Sequence, residues 1–209
     1  MPSAEPSVVR VIDKYQKESV LEIRFLSQNQ FKIAEASSIL KNAGVLVVPI
    51  SSKVEELQTE DSKRLVKDKA LKAFKQVGRP LFVEHTGLYI DYMNGFPGGL
   101  TQIFWDKLGA DRFCEIFGKD LRSSLEARTV IGFIDGQQFF SFEGSIRGSV
   151  SPEPHGDRSF QWDCVFVPEG HLSTFAEMGE QKHEISMRRQ ALDQFSEFLE
   201  SKAWYRCKN

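Results

Sequence analysis

Apolar and polar residues alternate over residues 20–26, with Leu21, Ile23 and Phe25 on one side and Val20, Glu22 and Arg24 on the other, the period-two mark of a β-strand. The period then lengthens. Beyond the turn-forming run Ser27-Gln28-Asn29-Gln30, residues Ile33, Ala36, Leu40 and Ala43 recur at helical spacing and predict a helix over 31–43, stopped by Gly44. Residues 45–50 are mostly β-branched and predict a strand buried on both faces. Leu65, Val66, Ala70, Ala73, Phe74 and Val77 form the apolar stripe of a long helix over 59–77, ended by Gly78-Arg79-Pro80. Leu81-Phe82-Val83 follows as a buried strand that gives out at two polar residues, Glu84 and His85. Thr86-Gly87 then reads as a turn, and a Gly/Pro loop closes the segment at Gly95-Phe96-Pro97-Gly98-Gly99.

Two short helices are predicted over 100–108 and 110–117, and a hairpin over 126–134 and 138–150 around Asp135-Gly136. A Pro/Gly/His loop over 151–159 leads to a short strand over 162–167. The last element is a helix over 186–201 with Met187, Ala191, Leu192, Phe195, Phe198 and Leu199 on one face. Residues 1–19 read as an N-terminal extension with a partial helix over 8–18, residues 20–201 as one domain, and 202–209 as a tail. The early strand–helix–strand–helix–strand order predicts an α/β body; the hairpin adds an antiparallel extension to a mixed sheet, with a cleft between two lobes.

Composition narrows the function. The formal net charge of the 209-residue chain is −2, so no global basic field recruits nucleic acid, and phosphate must be met by local lysines and backbone N–H groups. The three cysteines are widely spaced without metal-like pairing, as in reduced cytoplasmic proteins. No apolar run approaches the ~20 residues of a membrane span, and the first residues carry no secretory core. The 17 phenylalanines suit a core, and equally a protein interface.

Candidate chemistry gathers at a few places. Ser27, Asn29 and Lys32 lie where a strand enters a helix, a site that favours anions, although the same layout is commonly structural. Lys53 is another phosphate candidate. Glu56 falls in an acidic loop with Glu55, Glu60 and Asp61. Ser186 and Met187 can equally be a helix cap and a core residue. His155 and His183 read as surface residues and Cys164 as core.

Taken together, residues 25–32, 55–58, 83–99, 160–163 and 182–188, supported by 174–178, resemble the inosine triphosphate pyrophosphatases, which remove non-standard purine nucleoside triphosphates. The resemblance implies an elongated two-lobed α/β dimer with a deep cleft that cleaves ITP, dITP or XTP to monophosphate and pyrophosphate with Mg²⁺. It assigns Ser27, Asn29, Lys32 and Thr86 to ligand contacts and Glu56 and Glu84 to metal. Phe160 and Trp162 are to stack on the base, Asp163 to accept from the N1–H of a keto purine, and Lys182, Ser186 and Arg188 to complete the pocket. The chain departs from the family pattern at Gln28 and Gln161, where the family has glycine, at Met187, where it has histidine, and at His85, where it has the aspartate that serves metal and water. Imidazole is a poor ligand for Mg²⁺. The departure therefore implies weakened hydrolysis and a nucleotide sensor, or else an active enzyme that uses His85 as base, with Mn²⁺ as a further option. A purely structural dimerisation subunit is the third possibility. The pattern is also similar to pyrophosphatase-like subunits of bacterial antiphage systems, which bind deoxyinosine triphosphate and switch on an NAD-degrading partner. That likeness implies a hetero-complex with an effector, beside or instead of a homodimer.

Overall fold

The computed structural model describes residues 21–119 and 124–201. The chain folds as β1 (Leu21–Leu26), α1 (Gln30–Leu40), β2 (Val45–Ile50), α2 (Ser62–Val77), β3 (Leu81–Ile90), β4 (Pro97–Gly98), α3 (Thr101–Phe117), β5 (Ser124–Ile134), β6 (Phe139–Val150), β7 (Phe166–Pro168), α4 (Phe175–Met178), α5 (Gln181–Ile185) and α6 (Met187–Ser201). One seven-stranded sheet runs β2-β1-β3-β5-β6-β7, with β4 paired to β3. Its first three strands are parallel and the rest antiparallel, so the sheet is mixed, as the element order predicts. The expected extension and tail, including the partial helix over 8–18, lie outside the described residues.

The helices cover the sheet by the strand's period of two. Phe82 packs with Phe25, Leu40, Leu192 and Phe195, beneath α1 and α6. Its neighbours Leu81 and Val83 pack on the opposite face with Leu65, Val66 and Ala70 of α2. A further cluster, holding Leu88, Phe113, Trp162, Phe166 and Phe175, fills the far end of the sheet. The phenylalanine surplus goes largely inward, since Phe25, Phe82, Phe113, Phe133, Phe166, Phe175 and Phe195 are fully buried, while Phe31 is 74% exposed.

Several local expectations change in the assembled fold. Thr86-Gly87 is no turn: β3 continues through it because β5 pairs with it along its whole length, from Leu81↔Ile134 to Ile90↔Leu125. Gly87 is required for closeness, as a Cβ there would stand 2.4 Å from the Gly98 carbonyl oxygen. β2 is an edge strand and buries one face only, with Val45 and Val47 in the core beneath α1 and Leu46 50% exposed. α2 starts at Ser62, later than expected, because the Asp61 carboxylate accepts from the N–H groups of Lys63 and Arg64 and fixes the cap there. The expected strand over 162–167 is instead a 3₁₀ turn, Gln161–Cys164, followed by the short β7. The two helices expected over 100–117 do meet at a break, Gly109, whose φ of 66 and ψ of 177 are not helical.

Candidate ligand cleft

β1 pairs with β3 at Leu81 and Phe82, and β4 pairs with it at Leu88 and Tyr89. Among the described residues, the stretch of β3 between these pairings has no strand neighbour on that side. A cavity of about 950 Å³ opens along this gap, and Glu84, His85 and Thr86 line it. The gap is why the cavity reaches both Glu84 and His85, although consecutive strand residues point to opposite faces.

Glu84 points toward α1 and α6 and is 2% exposed. Its Oε1 accepts from Lys32 Nζ and from Arg188 Nε, both at 2.9 Å. Burial would push its carboxyl up, but the Arg188 guanidinium and Lys32 ammonium hold it down at about 2. Arg188 is itself buried and donates from Nη1 to Glu35 at 3.2 Å, so one guanidinium joins α6, β3 and α1. Glu35 also faces His183 Nδ1 at 3.6 Å. His183, expected at the surface, is half-buried there.

His85 points toward α2. Burial lowers its imidazole to about 4 against the opposing pull of Glu56, and Lys69 reinforces the lowering. The ring is therefore neutral at neutral pH, and its Nε2 finds no hydrogen-bond partner among the described residues. Glu56 is ion-paired with Lys69 of α2. Thr86 shares a 2.8 Å hydrogen bond with Thr129 of β5.

At the start of α1, Asn29 Oδ1 accepts from the Lys32 N–H at 3.1 Å, and Ser27 Oγ accepts from the Asn29 N–H at 3.2 Å. These side chains shape the loop and cap the helix, which aims Lys32 at Glu84. Gln28 and Lys53 are exposed at the cavity wall.

Another part of the cavity wall holds two buried polar residues, Asp163 and Lys182. Asp163 is ion-paired with Lys182, whose Nζ sits 4.5 Å from the centre of the Phe160 ring. Burial raises the Asp163 carboxyl and lowers the Lys182 ammonium, so the pair is drawn toward its neutral forms. Trp162 reaches the wall but is 3% exposed, packed against Phe166 and Phe175. Its ring packs mainly in the core, while Phe160 is half-buried at the cavity. Ser186 Oγ accepts from the Arg189 N–H at 3.1 Å and caps α6, while Met187 is core, as the helix-start alternative has it.

Lys69 and Glu35 also belong to the site. The signal for Lys69 is a lysine at the middle of the apolar row Leu65, Lys69, Ala73 on α2. Glu35 sits beside buried Ala36 on α1 and one turn before buried Ile39.

The fit to Mg²⁺ can be tested on the donors. Mg²⁺ takes oxygen ligands in near-octahedral order. Among the described residues no group of three or more His, Cys, Asp or Glu side chains is placed to hold a metal ion. Glu56 and Glu84 are each paired to a lysine, and His85 offers nitrogen. The described residues by themselves do not form a Mg²⁺ site. No helix among the described residues is long and apolar enough to cross a membrane.

The comparisons with known proteins agree on one group. The chain is 33% identical to a dITP/XTP pyrophosphatase of Methanopyrus kandleri over 188 residues, covering 89% of this chain and 97% of that protein. It is 31% identical to a dITP/XTP pyrophosphatase of Saccharolobus solfataricus, covering 87% and 95% of the two chains. The solved structure of a HAM1 protein from Coxiella burnetii superposes with a TM-score of 0.76 at 28% identity, covering 87% of this chain and 99% of that one. The Staphylococcus aureus Ham1 protein shares the fold with a TM-score of 0.70 at 23% identity, covering 87% and 99%. The model of the Ham1 family matches residues 23–198, nearly the whole described chain, and the chain belongs to that family.

Proposed function

We propose that this chain binds a non-standard purine nucleoside triphosphate, dITP, ITP or XTP, along the cleft, hydrolyses it slowly and acts as its sensor. The observation that carries the reading is one cavity whose wall brings together Lys32 and Lys69 with Phe160, Asp163 and Lys182. Ammonium groups and the first turn of α1 suit a triphosphate. A buried carboxylate beside an aromatic face suits a keto purine, whose N1–H donates where adenine N1 accepts. Names of relatives supply the substrate class, and the neutral, buried His85 supplies the reason for slow chemistry.

A second reading, an active metal-dependent pyrophosphatase releasing monophosphate and pyrophosphate, is favoured by those same names. The test is to titrate the protein with dITP, ITP, XTP and dATP while following pyrophosphate release with and without Mg²⁺. Tight binding with little turnover supports the sensor, rapid turnover supports the enzyme, and no binding overturns both.

Asp163→Asn is expected to reduce the preference for dITP over dATP by about tenfold, since an amide can also donate to adenine N1. Equal preference in the variant and the wild type would place the base elsewhere. The sensor half of the proposal needs an output, and we place it in a partner effector of the NAD-degrading kind, as in antiphage defence. Tagged protein is expected to co-purify with that effector, with effector activity following dITP because the ligand favours one state of the complex. A protein that purifies alone, with no effector responding to dITP, removes that half.

A further inference from the structure

Gln161 stands between Phe160 and the Trp162-Asp163 pair, with a left-handed backbone at φ 43. A residue with a side chain adopts that conformation at a cost in energy. The side chain is exposed at the cavity wall, yet it is oriented. Its Nε2 donates to Gln102 Oε1, and Gln102 Nε2 donates to Asp106 Oδ1 at 2.7 Å. The direction of this relay follows from chemistry. An ionised carboxylate only accepts, so Asp106 draws the Gln102 nitrogen toward itself and leaves the Gln102 oxygen facing Gln161. That oxygen in turn draws the Gln161 nitrogen, and Gln161 Oε1 is left without a partner among these side chains.

We infer that Gln161 Oε1 accepts a hydrogen bond from a sugar hydroxyl of the bound nucleoside triphosphate, which makes Gln161 a specificity-determining residue and Gln102 and Asp106 its positioning residues. The inference rests on the nucleotide reading above. An acceptor needs a donor, and an ionised triphosphate has none to give. The N1–H of the keto purine is matched to Asp163. The sugar hydroxyls remain, and the place fits them. Gln161 directly follows the Phe160 platform, while Gln102 follows Thr101, whose hydroxyl binds Leu88 N–H and Gly98 O beside the β3 gap. In the ligand, the sugar joins base to phosphates.

The test is calorimetric binding of dITP, its 2′,3′-dideoxy counterpart and dATP to the full-length protein. Wild type is expected to bind dITP about fivefold more tightly than the dideoxy compound, the scale of one hydrogen bond. Gln161→Gly suits the positive φ, so it relieves strain and folds. It is expected to bring dITP and the dideoxy compound to parity while the preference for dITP over dATP persists. Asp106→Ala, which frees the Gln102 amide to turn, is expected to lower the sugar preference, and Asp106→Glu to restore it. A wild type indifferent to the sugar hydroxyl, or a Gln161→Gly protein that keeps the preference, overturns the inference. Failure of wild type to bind any of the three nucleotides overturns the nucleotide reading and this inference with it.

Discussion

Glu84→Gln is expected to lower unfolding stability by about 3–5 kcal/mol at neutral pH, the range for breaking a buried ion pair from one side. Glu84 Oε1 is the shared acceptor of Lys32 and Arg188, and the amide leaves both cations facing a neutral, buried group. Arg188 keeps Glu35, so the loss is large without being total. The pH dependence has a definite sign. The folded carboxyl sits at about 2 against 4.5 unfolded, so the unfolded chain binds more protons between those values. The stabilisation is fully present above pH ~4.5 and is lost as pH falls toward ~2, and its size, on the order of 3 kcal/mol, agrees with the ion-pair figure. Urea titrations of both proteins at several pH values check this. A variant as stable as wild type at pH 7, or a difference that persists undiminished at pH 2, would show that the network does not depend on Glu84. Arg188→Ala should also destabilise, because it takes the guanidinium from Glu84, which keeps Lys32, and from Glu35. Any loss of nucleotide affinity in that variant must therefore be separated from loss of fold.

His85→Asp is expected to raise Mg²⁺-dependent pyrophosphate release from dITP by about 10²-fold, the scale of a positioned acid–base group. His85 shares the α2 side of β3 with Glu56 and Lys69. Burial holds its imidazole at about 4, so at neutral pH it is an uncharged nitrogen of low basicity. Aspartate would place a hard oxygen in the same pocket as Glu56, with Lys69 near enough to keep the added charge ionised. Single-turnover assays on wild type and variant measure the change. Fast turnover by wild type, abolished in His85→Ala, would assign the chemistry to histidine and favour the active-enzyme reading.

Much of the fold was legible in the chain because it is written locally. β1, α1 and α6 follow from hydrophobic period, and the hairpin of β5 and β6 from Asp135-Gly136. The helix stops at Gly44 and Gly78 are left-handed glycines, as C-caps require. Continuity of β3 was not legible. Glu84-His85-Thr86-Gly87 has the local chemistry of a strand exit, and only long-range pairing with β5 carries the strand through it. The edge position of β2 was hidden for the same reason, since strand order is not a local property.

For the cleft, the chain alone determined which residue types are present: the lysine in the first turn of α1, the Phe160–Asp163 run, and histidine where the family has aspartate. These identities sufficed for the family. The tertiary structure decided what each group does with its charge. Period two sends Glu84 and His85 to opposite faces, and what waits on each face depends on how the helices dock. Arg188 of α6 meets Glu84, Lys69 of α2 meets Glu56, and Glu35 closes the network from α1. Each partner is distant in sequence, and Coulomb attraction and burial act on separation in space, which hydrophobic period and cap chemistry do not encode.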